Sequence, residues 1–519
     1  MSDRKKNLPR GWVSLIWGLL LAGCTVAPPA LLDQAFPELA QKTLSAGITH
    51  ISEKYIEPVP VSELAVEGLR GLETIDPSFS VNVHGGKLSV YSNYLNRRDY
   101  RLPAANNAEA WSSLMVAVLQ QARTGSSPLS RATNEKLFEA VFDGSVSLLD
   151  AFSRYAGARK AGENRAKRSG FGGIGIRMKP EDGGARVAEV FEMTPAERAG
   201  IRQNDLIIKV GKVRLPGLSR TKMRRALRGE IGSFAVLTIR RPDIRSFALS
   251  VKRERILLPT VNLSRGQGIL HARVTSFNNE TARQLATKIK SSLQENGPPP
   301  KGLILDLRGN PGGVLTQAVK LADLFLVGGK ILSTHGRHPS SRHEYEARGN
   351  DILNGLPLVV LINGGSASAS EIVAAALQDQ KRAIVVGTGS FGKGSVQSVT
   401  RLPNDGELTL TWSRFVTPSG YILHKLGVPP FVCTGNVGND PNRAIQETLA
   451  KLSELSDVMN AWRRVAAKDE EARTTLRAAC PSYPHQKFLD IRVAKALIGD
   501  SALYQRVQGI STSIASTDR

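Results

Sequence analysis

Cysteine is almost absent from this chain: Cys24, Cys433 and Cys480 are the whole complement in 519 residues. That excludes a cysteine-stapled framework, and a chain of this length can bury a core that needs neither disulfide nor metal. Acidic residues are also scarce, 46 against 69 Lys and Arg, which leaves a net charge of +23. Such a surplus favours polyanionic neighbours. However, no motif combining aromatic and basic residues accompanies it, so a nucleic-acid-binding protein has no further support. Long apolar runs are missing as well. Trp12 to Ala22 is apolar but too short to span a bilayer comfortably. No internal repeat or low-complexity tract occurs. His335, His338 and His343 cluster in sequence, but no Cys or well-placed carboxylate completes a zinc pattern. No metal and no cofactor is expected.

What is present begins at the N-terminus. Arg4, Lys5, Lys6 and Arg10 precede the apolar stretch, which ends in Leu21-Ala22-Gly23-Cys24. This resembles a bacterial lipoprotein signal, with residues 1–23 removed and Cys24 carrying the lipid. The resemblance implies export to the periplasmic side of the envelope, and Thr25 after the cysteine leans toward the outer membrane. With Cys24 lipidated, Cys433 and Cys480 remain, and in an oxidising compartment they are expected to pair.

At roughly 100–200 residues per domain, the length allows about three or four domains. Residues 24–168 read as a mainly helical region. Leu44, Ile48, Ile51 and Tyr55, then Leu64, Leu69 and Leu72, recur at helical spacing, and Pro58 and Pro60 separate two helices. Val81 to Tyr100 is polar with short alternating pieces and yields no element. Lys160 to Ser169, charged and glycine-containing, reads as a linker or hinge. Residues 170–254 turn to short strands. Gly172-Gly173-Ile174-Gly175-Ile176 followed by ERAGI and NDLIIKV resembles a PDZ domain in the permuted order of bacterial proteases. The five residues would form the loop that receives a peptide's terminal carboxylate, while the peptide adds a strand to the sheet edge. Residues 255–430 alternate strand and helix and read as an α/β layer. Residues 431–519 read as helices closing over it.

Two segments of that layer carry chemistry. Asn363 to Ile372 (NGGSASASEI) lies where a buried strand turns into a helix. A hydroxyl there sits at the positive end of the helix dipole. Ser368 with Glu371 also fits a capping box, and Ser366 and Ser370 are available, so the segment alone does not name a nucleophile. Gly387 to Gln397 (GTGSFGKGSVQ) nearly fits a phosphate-binding loop. Gly394 replaces the required hydroxyl, though, and Ser395 to Arg401 reads as a strand where such a loop opens into a helix. Lys393 can serve instead as a general base, provided burial lowers its pKa, with Phe391 as a candidate apolar wall. His424 is the one histidine near these motifs, and nothing marks a partner for a triad.

GLILDLRGNPGG, GGSASASEIVAAALQD, GSFGKGSVQSV and FVTPSGYILHKLGVPP, behind a PDZ-like block, together resemble the carboxyl-terminal processing (tail-specific) serine peptidases over residues 170–430. A fainter likeness covers residues 55–77. The resemblance implies a crotonase-like α/β protease core with an inserted PDZ-like β domain and helical N- and C-terminal regions. It implies Ser368 as nucleophile, Lys393 as base, Gln397 as the residue orienting the lysine, and the N–H groups of Ala369 and Gly313 as oxyanion donors. It also implies protein or peptide substrates with apolar C-terminal tails, and an activating lipoprotein or adaptor is conceivable. The alternative is a catalytically silent PDZ scaffold in the envelope. Residues 80–165 and the two C-terminal cysteines depart from the family layout.

Overall fold

The computed structural model describes residues 29–242, 244–435, 437–482 and 487–516; residues 1–23 and Cys24 lie outside them. Among the described residues the buried apolar side chains form four clusters, one per structural region.

The N-terminal region is built on helices Pro29–Lys54, Val61–Arg70, Ala108–Gly125 and Asn134–Val146. Leu44, Ile48, Ile51, Leu64, Leu69 and Leu72 are fully buried between them. The region is not wholly helical: residues 80–101, which yielded no element from sequence, are strands. Strands Ser80–His84, Lys87–Ser92 and Leu95–Arg101 form an antiparallel sheet. Gly85 and Gly86, with φ of 56° and 72°, make the tight turn between the first two. The proposed linker also differs. Ala158–Ser169 is a helix, stopped by Gly170 at φ 84°. It buries only Ala161 along its length, but Arg165 and Arg168 clamp the buried Glu407 at 3.2 and 2.7 Å. That long-range anchor orders a segment whose composition reads as mobile.

Residues 172–251 enclose their own cluster, centred on Val187, Ile207, Leu237 and Ile239. The sheet order is Ile244–Lys252, Phe234–Arg241, Leu206–Val210, Gly184–Val190, Ile176–Glu181. The last strand is therefore a free edge, and helix Arg220–Leu227 lies beside it.

The α/β core holds a six-stranded sheet in the order Val261–Gly266, Ile269–Val274, Gly302–Asp306, Leu358–Ile362, Ile384–Gly387, Val432–Cys433. All pairs but the first are parallel. Leu358–Ile362 is buried throughout, as a parallel strand covered on both faces must be. A second sheet, His343–Glu346, Lys330–His335, Glu407–Val416 and Ser395–Arg401, packs alongside, and Arg154–Ala156 from the N-terminal region pairs with Glu407–Val416. Helices Pro441–Ala450, Leu452–Arg464, Lys487–Gly499 and Ser501–Ser516 contribute to the cluster on the far face, and Glu470–Ala478 lies against residues 390–426. Three adjacent parallel strands end on one edge, and their C-terminal loops carry RGNPGG, the serine segment and the lysine segment. Ligand sites in open α/β sheets form at such strand ends.

Candidate active site

The three serines of the segment after Leu358–Ile362 have different surroundings. Ser366 is fully buried; its hydroxyl donates to the Leu307 carbonyl (2.9 Å) and accepts the Asn363 N–H (3.0 Å). Ser370 is fully buried and donates to the Asn310 carbonyl (2.9 Å). The Ser366 hydroxyl holds the serine turn to Leu307, just before the RGNPGG turn, and the Ser370 hydroxyl holds it to that turn itself. Ser368 is half-buried and is the N-cap residue of helix Ala369–Asp379. Its φ of 56° and ψ of −112° are unfavourable for a residue with a Cβ, and the neighbouring turns hold it there.

The RGNPGG turn lies directly against it. A Cβ on Gly312 would fall 2.9 Å from Ser368 Cβ, 2.9 Å from the Ala369 nitrogen and 2.7 Å from the Ala367 oxygen, so only glycine fits. The Ala369 N–H is among the first N–H groups of its helix, which have no intrahelical acceptor. Gly313 follows Gly312 in the same turn, fixed by a bridge to Phe277 and by the Val314 N–H donating to the Phe277 carbonyl (3.0 Å).

Glu371 ties the serine to the lysine loop. Its Oε2 accepts the N–H of Ser368 (2.7 Å) and of Lys393 (2.9 Å). Its Oε1 accepts the N–H of Gly392 (2.6 Å) and the Ser390 hydroxyl (2.5 Å). Burial pushes this carboxyl up, and the four donors oppose that shift. The sequence marked Glu371 as a helix cap; its reach to residues 390–393 is visible only in the fold.

Lys393 is half-buried, and its Nζ lies 4.8 Å from the centroid of the Phe152 ring. Burial lowers its pKa, the Arg154 charge lowers it further, and Asp150 and Glu371 work in the opposite direction. The apolar wall is therefore Phe152, from the N-terminal region. Phe391, the wall expected from sequence, is 52% exposed, because the Phe391 N–H is tied to the Ser366 carbonyl and the ring turns to solvent. Nothing local to residues 150–154 signals this role. Gln397 sits at a bulge, and its amide donates to the hydroxyls of Ser395 (2.9 Å) and Thr411 (3.2 Å). No hydrogen bond joins it to Lys393 among the described residues. His424 packs edge-on against Phe152 at 6.2 Å.

In the smaller β region, Gly172 and Gly173 belong to the short strand Phe171–Gly173, paired with Glu254–Ile256. The loop proper is thus narrower than the expected five residues. Ile174 and Gly175 direct their carbonyls to the N–H groups of Ala196 (2.8 Å) and Phe191 (2.9 Å), and Ile176 opens the edge strand. Cys433 and Cys480 are joined in a disulfide.

Comparison with known proteins shows the family. Residues 268–432 match peptidase family S41, and residues 172–251 match the PDZ domain. The carboxy-terminal-processing protease of Bartonella bacilliformis is 38% identical over 301 residues, 57% of this chain and 69% of that protein. The chain belongs to the carboxy-terminal-processing serine peptidases of family S41. Another relative of this S41 peptidase, the carboxy-terminal processing protease CtpA of Bacillus subtilis, is 33% identical over 58% of this chain and 65% of its own. Among solved structures, the photosystem II D1 C-terminal processing protease aligns over 71% of this chain and 92% of its own, at 24% identity and a TM-score of 0.34.

Proposed function

We propose that this S41 peptidase is an exported endopeptidase that cuts proteins whose C-terminal tails enter its PDZ domain, with Ser368 as nucleophile and Lys393 as base. One observation carries the reading. Ser366 and Ser370 spend their hydroxyls on the carbonyls of Leu307, just before the RGNPGG turn, and Asn310 within it, while Ser368 stands at the helix start beside Gly312 and shares Glu371 with the lysine loop.

Neutral Lys393 takes the Ser368 proton as Oγ bonds to the scissile carbonyl carbon. The N–H groups of Ala369 and Gly313 hold the resulting oxyanion. Collapse breaks the C–N bond, and the lysine returns its proton to the leaving amine. Water, deprotonated in turn by Lys393, then bonds to the acyl carbon; the bond to Ser368 Oγ breaks, the lysine returns the proton to Oγ, and the acyl group leaves as a carboxylic acid. Gln397, on strand Ser395–Arg401 just after the lysine loop, orients Lys393. Cys24 bears the lipid and holds the protein at the periplasmic side of the envelope. The disulfide suits that oxidising compartment.

The test follows intact masses of a loosely folded protein with an apolar tail, incubated with the chain from residue 25 onward. Fragments from the parent, and none from Ser368→Ala or Lys393→Ala, are expected. Fragments from Ser368→Ala would overturn the nucleophile, and fragments from Lys393→Ala would overturn the base. No fragments from any of the three would favour a silent scaffold. For the anchor, Cys24→Ala is expected to move the protein from the membrane to the soluble envelope fraction.

A further inference from the structure

The open edge strand Ile176–Glu181 and the helix Arg220–Leu227 form the two walls of the groove in which a tail would lie. Both walls are cationic. From residue 220 to 228 the chain has five basic residues and no acidic one, whereas residues 172–251 as a whole have sixteen and eight. Arg220, Lys222, Arg224 and Arg225 are all exposed, so every solvent-facing side of this short helix is positive. On the strand, Arg177 and Lys179 are exposed, while Met178 between them is buried.

Little acid within the protein offsets these charges. Arg177 meets Glu189 at 3.2 Å and Arg224 meets Glu163 at 3.6 Å, all four side chains being 38–60% exposed. Such exposed pairs are weak and exchange readily with another anion. Lys179, Arg220, Lys222 and Arg225 have no acidic side chain in ion-pair range among the described residues. Glu181, at the far end of the strand, is held by Arg186 at 2.8 Å.

A peptide added to the edge strand points alternate side chains to opposite sides. One set faces the arginine-bearing helix, and the other stands beside Arg177 and Lys179. Either way, a side chain upstream of the terminal residue meets a cation. The apolar lining of Ile176, Met178, Met223 and Leu227 suits the terminal residue itself.

We propose that the groove selects tails in which an apolar last residue follows acidic residues, so that the substrates are proteins with acidic C-terminal segments. This rests on the tail-binding reading above and adds the charge of the tail to it.

The test uses the chain from residue 25 onward with Ser368→Ala, which prevents cutting, and fluorescent peptides sharing one apolar last residue. The three preceding positions are Asp, Ser or Lys, each with a free or an amidated C-terminus. Fluorescence anisotropy should rank Asp above Ser above Lys, with Asp about tenfold tighter than Lys at low salt. High salt should shrink that ratio. Adding Arg220→Glu and Arg225→Glu, both exposed and without an ion pair among the described residues, should narrow or reverse it. Equal affinities for Asp and Lys, or a gap that the added pair leaves untouched, would overturn the acidic preference. Equal binding of free and amidated peptides would overturn the tail-end reading and leave the charge result to stand by itself. No binding by any peptide would overturn both.

Discussion

At the scale of residues, Glu371 and Phe152 set the properties of the candidate pair. Glu371 supplies both oxygens to four donors from residues 368, 390, 392 and 393. A glutamine keeps one of those acceptors and turns an N–H₂ toward donors. Each buried donor left without a partner costs about 1–3 kcal/mol. Glu371→Gln is therefore expected to lower the urea-unfolding free energy by at least that amount and to cut kcat, whereas Ser368→Ala removes activity with little loss of stability. Equal stability of Glu371→Gln and parent would refute the bracing role. Phe152 covers the Lys393 amine, 4.8 Å from the ring centroid. A general base must be neutral, so activity should rise with pH through the lowered pKa of Lys393, below the ordinary lysine value of 10.5. The ring both excludes water, which lowers this pKa, and attracts the cation, which raises it. Burial is the largest influence on Lys393, ahead of the Arg154, Asp150 and Glu371 charges. The pH profile of kcat/KM for Phe152→Ala should thus rise at higher pH than the parent's. A rise at lower pH would mean that the ring acts mainly as a cation partner.

At the scale of elements, the C-terminal helices brace the lysine loop. Arg477 donates to the carbonyls of Leu426 (2.6 Å) and Ser390 (3.0 Å), and the Ser482 hydroxyl donates to that of Gly389 (2.8 Å). The Cys433–Cys480 bond pins this segment to the edge strand Val432–Cys433, closing a 47-residue separation. Chain entropy assigns such a loop about 4 kcal/mol. Reduction should lower Tm and, by loosening residues 387–394, lower kcat more than it raises KM. Activity unchanged after complete reduction would mean that the loop holds its shape unaided. The elements also differ in how well they could be read. Leu358–Ile362 is an unbroken apolar run and was legible. The sheet at residues 80–101 was not: its outer strands are largely exposed, so alternation is faint, although Gly85-Gly86 is a hairpin signal in its own right. The helix Ala158–Ser169 offers no apolar stripe, because Glu407, more than two hundred residues away, anchors it.

At the scale of the whole molecule, that same helix joins three regions. It leaves the N-terminal helices, reaches the PDZ domain through Glu163 and Arg224, and is fastened to the protease core through Arg165, Arg168 and Glu407. Glu407→Ala should free its C-terminal half and make Arg165, Lys167 and Arg168 sites of early tryptic nicking. A digestion pattern identical to the parent's would show that packing alone holds the helix. By itself the sequence determined the family, the α/β class and the PDZ block, and the resemblance implied the short roster Ser368, Lys393, Gln397, Ala369 and Gly313, because each lies in a contiguous motif. Only the tertiary structure decided which serine keeps its hydroxyl from the neighbouring turn, which ring covers the lysine and what orders the connector. Those outcomes depend on contacts between residues far apart in the chain, Ser366 with Leu307, Lys393 with Phe152 and Arg168 with Glu407, and no local pattern encodes them.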